Sequence, residues 1–466
     1  MKLDELIFRN KNLVFRDAKT GVDKGIDKIS NSLEIGYHED VRGLIFVYND
    51  NQLGAMEVLL NFYQSNDAIA LLNIGLFEGY KIELERKYKP LYIFDPSRTE
   101  INGYMPVRVS EDITLFKRSD DFRYPINQNI KILMNTSGTT GSPKFVKLSD
   151  DNLVENAISI LDYMPIQKED VVPINVPVNF VYGLSIFTTN CIKASTIVCT
   201  SKDVFQKGFW DDFANYKYST LGGVPYFYEI LQRIGFFKKD SPSLRYLTHT
   251  GGLLNQNLWN TIAEYSKKFQ KQFVVQYGQT EAGGRMAALL SDDFYHKRGT
   301  IGKPIKGGMF RLHEDTGELI YSGANVFGGY ANSINDLEFF KQAEELYTGD
   351  IARVDKDGYY YIEGRMKRIV KLLGVRLNLD EVELILKNSL EGSIFICVGI
   401  EDKYMVIVYS DDKWDRQSIG GVLREKLGIN PNYYKTKFLK EIPLTVNGKV
   451  DYPLLTKEIH SGEIRL

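Results

Sequence analysis

The chain has 466 residues, 43% of them hydrophobic and 25% charged, with a formal net charge of -2. That length suits about three structural units with large cores, and the near-neutral charge gives no electrostatic case for nucleic acid or an anionic membrane surface. Cys191, Cys199 and Cys397 form no CxxC pair and the five histidines show no ligand spacing, so a reduced, cytoplasmic protein without a metal cluster is expected.

The first residues, Met1-Lys-Leu-Asp-Glu-Leu6, lack the apolar core of a signal peptide. Residues 43–48 read as a buried strand, 53–64 as a helix, and 68–72 and 91–94 as further strands. Such alternation favours α/β layers. After the apolar run 132–134, every residue from Thr136 to Ser142 is glycine or carries a hydroxyl, and Pro143-Lys144 follows. The segment reads as a loop between a strand and a helix that starts at the Ser149 cap. A loop of this composition can wrap a polyphosphate: glycine permits close backbone approach, while hydroxyls, N–H groups and Lys144 supply donors and charge. It is not a Walker loop, because Lys144 follows Pro143 and precedes Phe145. The apolar stretch 171–192 is interrupted by Pro173, Asn175, Pro177, Asn179 and Gly183, a poor membrane span but a good buried strand, turn and helix. Strand-like runs recur at 220–224, 244–250, 272–276 and 317–323, and a hairpin is expected around the turn 355–358. Beyond it, Leu379, Val382, Leu386 and Leu390 share one helical face, followed by strands at 394–400 and 404–409. A boundary near 364–368 divides the chain into residues 1–366 and a small domain, 367–466.

Together with the loop 136–144, four later segments resemble, in order, the motifs of the AMP-forming acyl-activating enzymes, a family that includes acyl- and aryl-CoA ligases, nonribosomal adenylation domains and luciferases. They are Tyr277-Gly-Gln-Thr-Glu281, Tyr347-Thr-Gly-Asp350, the stretch 364–376 that opens Gly-Arg-Met-Lys-Arg, and Asn447-Gly-Lys449. The resemblance implies an α/β fold: a large amino-terminal domain of several subdomains with layered βαβ sheets, plus a small mobile α+β carboxy-terminal domain. It also implies attack of a carboxylate on the α-phosphate of ATP, with Mg2+ as cofactor, followed by acyl transfer to the thiol of CoA or phosphopantetheine. Thr136, Ser137, Gly138, Thr139, Thr140, Gly141 and Lys144 would hold the β- and γ-phosphates. Glu281 would bind magnesium and Thr280 the α-phosphate; Asp350 and Arg365 would take the ribose. Tyr277, with Gly278, would face adenine, Ile362 would lie beside it, and Gly251, Gly252 and Leu253 would wall the adenine and acyl pocket. Lys449 would reach the reacting carboxylate and α-phosphate, Lys367 would be the hinge between two domain orientations, and Gly374 would border the thiol channel. Each has a plainer alternative: Glu281 as a helix-starting carboxylate, Asp350 as a turn residue, Lys449 as a solvated charge.

The departures bear on the substrate. Amino-acid-activating relatives place an Asp after an aromatic residue in the stretch 177–183, where Phe180 is followed by Val181 before Gly183. An apolar Val181 cannot pair a buried ammonium. Gln276 either closes or polarises the acyl pocket or points away from it. The expected protein is therefore a ligase for a small carboxylic acid without an α-ammonium, with CoA or a separate acyl carrier protein as acceptor, since no carrier segment follows Leu466. An amino-acid adenylating enzyme and a non-catalytic adenylate-binding relative are the alternatives.

Overall fold

Along the strand Leu44–Asn49, Ile45 and Val47 face one core while Leu44, Phe46 and Tyr48 face another. Burial on both faces explains why this strand is apolar without alternation. It sits inside an eight-stranded sheet, flanked in parallel by Ala68–Asn73 and Tyr92–Phe94, with Ile132–Thr136 parallel beyond Ala68–Asn73. The computed structural model describes residues 2–30, 32–35, 42–136, 144–372, 375–390, 392–400, 404–445 and 450–464.

A five-stranded sheet forms the second layer: Thr220–Gly223, Tyr246–His249 and Gln272–Tyr277 run parallel, followed by antiparallel Ala287–Leu289 and Lys303–Pro304. The stretch 171–192 is a short strand, Val171–Pro173, and a helix, Val181–Lys193, as expected. An antiparallel sheet of Gly308–Leu312, Glu318–Gly323, Leu346–Val354 and Tyr360–Arg365 follows, and the expected hairpin turn joins its last two strands. This mixed, multi-sheet α/β body is the expected fold class.

One expectation needs correction. The glycine- and hydroxyl-rich loop does not lead directly into a helix: a strand, Lys144–Leu148, intervenes and pairs antiparallel with Ile132–Thr136, Lys144 opposite Thr136. Phe145, Val146 and Leu148 are fully buried. The two lysines disguised the strand, but the Lys147 ammonium is satisfied by the carbonyls of Asp336 and Phe339, at 3.0 and 2.7 Å. The helix Asp150–Tyr163 then starts at Ser149, whose hydroxyl accepts from the N–H of Asn152.

Beyond Arg365 the chain packs around cores of its own. Leu379, Val382, Leu386 and Leu390 join Phe395, Cys397, Met405 and Ile407 in one. Ile396, Val398, Val406 and Val408, from the opposite faces of the same strands, join Leu455 and Ile459 in the other. This is the expected period-two division of a strand pair covered on both sides. Cys191, Cys199 and Cys397 are buried and unbridged, and no described helix is long and apolar enough to cross a membrane.

Candidate active site

Tyr277 ends the strand Gln272–Tyr277, and the backbone beyond it runs unusually close to a neighbouring segment. A Cβ on Gly278 would lie 2.1 Å from the Gly284 carbonyl oxygen, so only glycine fits there. The Tyr277 hydroxyl donates to Asp350 Oδ2 at 2.5 Å, and Arg365 Nε donates to Asp350 Oδ1 at 3.1 Å. Asp350 and Arg365 face each other because they are paired across the hairpin. Gly349, with φ +73°, turns the chain so that its N–H meets Glu318 Oε1 at 2.9 Å. Asp350 is 6% exposed, and burial pushes its carboxyl up, opposed by Arg365 and the Tyr277 hydroxyl. Ile362, on the same strand as Arg365, packs onto the main core.

Glu281 and Thr280 lie in a single 3-10 turn just beyond Tyr277. Glu281 Oε1 accepts from the Tyr330 hydroxyl at 2.8 Å, and the Lys144 ammonium lies 3.9 Å from the Tyr330 ring centroid. Tyr330 is thus the link between the end of the glycine-rich loop and Glu281. It was not singled out from sequence; its signal was Gly328-Gly329-Tyr330, an aromatic set after a glycine pair. Gly251, Gly252 and Leu253 follow the strand Tyr246–His249 on an exposed turn, with Gly251 at φ +83°.

The residues expected around the acid occupy two settings. Phe180 caps the helix Val181–Lys193, and Val181 backs onto Gly284. Gly183 is packed so tightly that a Cβ would meet the Pro177 carbonyl oxygen at 2.1 Å. Gln276 lines a cavity of about 20 Å³ shared with Asn175, Ser185, Thr248 and Arg285, and its amide donates to the Tyr163 hydroxyl at 2.7 Å. It therefore faces a cavity rather than pointing away. No carboxylate lines that cavity among the described residues.

Lys367, expected as the hinge, lies in the 3-10 turn Met366–Arg368. The loop residues Ser137, Gly138, Thr139, Thr140 and Gly141, together with Gly374 and Lys449, lie outside the described residues, and so does the side chain of Thr136. Leu444 and Val450 form an isolated antiparallel bridge. Sequence reasoning also passed over Arg285, although a single cation in the otherwise uncharged run 282–290 was a visible signal.

The family model for AMP-binding enzymes matches residues 102–331. A probable CoA ligase of Humulus lupulus is 25% identical over 342 residues, 69% of this chain and 65% of that protein. An oxalate–CoA ligase of Saccharomyces cerevisiae is 23% identical, covering 70% of this chain and 62% of that protein. The chain thus spans slightly less than two thirds of the length of these two relatives. In fold it is similar to an O-succinylbenzoate coenzyme A synthetase from Bacillus subtilis, solved with ATP and magnesium, with a TM-score of 0.76 and 17% identity, covering 97% of this chain and 99% of that one. Residues 102–331, which carry Tyr277 and Glu281, thus match the AMP-binding enzyme family, and the whole chain shares the fold of an acyl-CoA synthetase.

Proposed function

We propose that this chain is an AMP-forming ligase that activates a small carboxylic acid with ATP and passes the acyl group to a thiol, that of CoA or of a separate acyl carrier protein. The observation that carries the reading is the meeting of Tyr277, Asp350 and Arg365, from three separate motifs, at one point. The relatives named as CoA ligases support the acid–thiol chemistry. The residues fit a ribose: Asp350 is a buried carboxyl raised by its burial, a penalty that two ribose hydroxyl donors would offset. They also fit magnesium, because Glu281 is a partly exposed carboxylate beside a phosphate-type loop and one carboxylate with phosphate oxygens suits that ion. Magnesium, when bound, supplies charge neutralisation for the phosphates.

In this reading Tyr277 presents its ring to adenine, Asp350 and Arg365 orient the ribose, and Thr280 and Lys144 hold phosphate oxygens. Lys449 places a cation where oxygen charge develops. Residues 367–466 form the small domain, which turns about Lys367 so that Gly374 replaces Lys449 at the site. The carboxylate-free cavity beside Gln276 and the apolar Val181 support an acid without an α-ammonium.

Pyrophosphate exchange against a panel of free acids tests the reading, with two variants to locate it. Asp350→Ala should weaken ATP binding by about 1.5–3 kcal/mol through loss of charge-assisted contacts, and unchanged ATP affinity would separate the site from the nucleotide. Lys449→Ala should slow adenylation on the order of a hundredfold and spare thioester formation from supplied acyl-adenylate. Equal loss in both halves would remove the rotating domain from the scheme.

A further inference from the structure

Arg285 is 1% exposed, the largest side chain in the fully buried set. Its Nη1 donates to the Gly284 carbonyl at 2.8 Å and its guanidinium lies 4.4 Å from the Tyr182 ring centroid. Among the described residues its buried Nε has no hydrogen-bond partner and no carboxylate pairs with it. The neighbouring hydroxyls do not supply the missing charge. Tyr163 and Tyr182 are both pushed up to about 12 by burial, so they stay neutral at physiological pH. Tyr182 is moreover held by Thr248 and by the N–H of Gly223.

The guanidinium borders the cavity that Gln276, Asn175, Ser185, Thr189 and Thr248 line. That cavity abuts the proposed nucleotide site along three stretches of chain. Gln276 directly precedes Tyr277, Thr248 lies three residues before Gly251, and Arg285 follows Glu281 by four residues. An arginine cannot shed its proton to escape burial, and its forked donors match a carboxylate in two-point contact. The cavity wall is mixed, with Ile160, Ile166, Val172 and Ile186 beside the polar groups and Arg285 as the one charge, and its volume, about 20 Å³, admits a small group and not a hydrocarbon tail.

We infer that Arg285 anchors a second carboxylate on the acid, so that the substrate is a short dicarboxylic acid, one end reacting beside Thr280 and the other held in this cavity. The inference rests on the adenylating reading above and specifies its substrate.

Matched acids separate the two. Pyrophosphate exchange is measured with malonate, succinate and glutarate against acetate, propionate and butyrate, and diacid binding is measured calorimetrically without ATP. The wild type should prefer a diacid over its monoacid partner about a hundredfold in kcat/KM, as for a charge-assisted pair. Arg285→Met should lose that preference and bind no diacid, while exchange with monoacids stays or rises. Arg285→Lys should keep part of the preference. Arg285-dependent diacid binding without exchange would overturn the adenylating reading and leave the anchor standing. Exchange that favours monoacids in the wild type, or an Arg285→Met variant with an unchanged diacid-to-monoacid ratio, would overturn the anchor and make Arg285 a clamp on Tyr182. No binding and no exchange would sink both. Should Arg285→Met fail to fold, the wild-type panel alone still decides, because a monoacid preference contradicts the anchor.

Discussion

Arg368 and Arg285 are both guanidiniums withdrawn from water, and they are treated in opposite ways. Arg368 is ion-paired with Asp380 and Glu383, donates to the Cys397 carbonyl at 3.1 Å, and lies 4.1 Å from the Tyr452 ring centroid. Tyr452 in turn donates to Glu383 at 2.8 Å, closing the network. Arg285 is buried more deeply, yet among the described residues it has one carbonyl and one aromatic ring. Taking a cation out of water costs several kcal/mol unless charge and hydrogen bonds replace the solvent. In the first region the protein supplies that replacement itself, which makes Arg368 a structural cross-link. In the second it does not, and a ligand has to.

His249 sharpens the comparison by adding a group that can discharge. Both ring nitrogens are buried without partners among the described residues, near the rings of Tyr228 and Phe273, and burial pushes the imidazole down from 6.5 to about 3. The unfolded chain takes a proton below 6.5 while the folded one refuses it, so this part of the stability is present above pH 6.5 and is lost as pH falls towards 3. The slope is about 1.4 kcal/mol per pH unit. Between pH 7 and 4 the wild type should therefore lose roughly 3 kcal/mol more than His249→Phe in denaturant unfolding. Equal losses would mean that the imidazole finds a way to be protonated in place.

The next effect breaks the paired side. Arg368→Met leaves Asp380 and Glu383 facing each other without their cation, and Glu383, already raised to about 7 by burial, loses its principal opposing charge. Removing one partner of a buried pair costs about 3–5 kcal/mol. The side chains of Arg368 and Glu383 are each 16% exposed, which places the expectation near the lower end. The loss should be local. Hydrogen exchange should accelerate across 379–400 while the sheet strands Leu44–Asn49 and Ala68–Asn73 keep their protection. Unaltered protection in the tail would show that Arg368 contributes no more than a surface charge.

How much of these regions could be read beforehand follows from where the information resides. The alternation of strands and helices and the one-sided apolar spacing of Leu379, Val382 and Leu386 are local patterns, and the elements formed where those patterns stood. The strand Lys144–Leu148 was hidden because Lys147 looks solvent-facing in sequence, while its ammonium is in fact consumed by the carbonyls of Asp336 and Phe339, nearly two hundred residues away. Tyr330 escaped notice for the same reason: its place between Lys144 and Glu281 depends on pairing with Val146, a long-range contact. Asp350 and Arg365 were legible only through family motifs, since neither residue states its partner. Arg285 carried a local signal, a lone cation in an uncharged run, but whether such a cation meets a carboxylate is decided entirely by the tertiary structure.

The smallest expected effect is the one that tests the unpaired side directly. Arg285→Met removes a buried cation that no described carboxylate balances and keeps most of its volume. It loses one carbonyl contact and a cation–π contact with Tyr182, each on the order of 2 kcal/mol. It also removes the burial penalty of an unpaired charge, and hydrophobic replacement of buried ions is commonly neutral or stabilising by about 1–4 kcal/mol. Without ligand the variant should therefore be as stable as the wild type or more stable by about 1 kcal/mol, opposite in sign to Arg368→Met. A short diacid at a hundred times its dissociation constant should then add about 2.7 kcal/mol to the wild type and nothing to the variant, inverting their order. If the ligand-free variant instead loses stability on the scale of Arg368→Met, the two arginines do the same structural work and the contrast between the two regions fails.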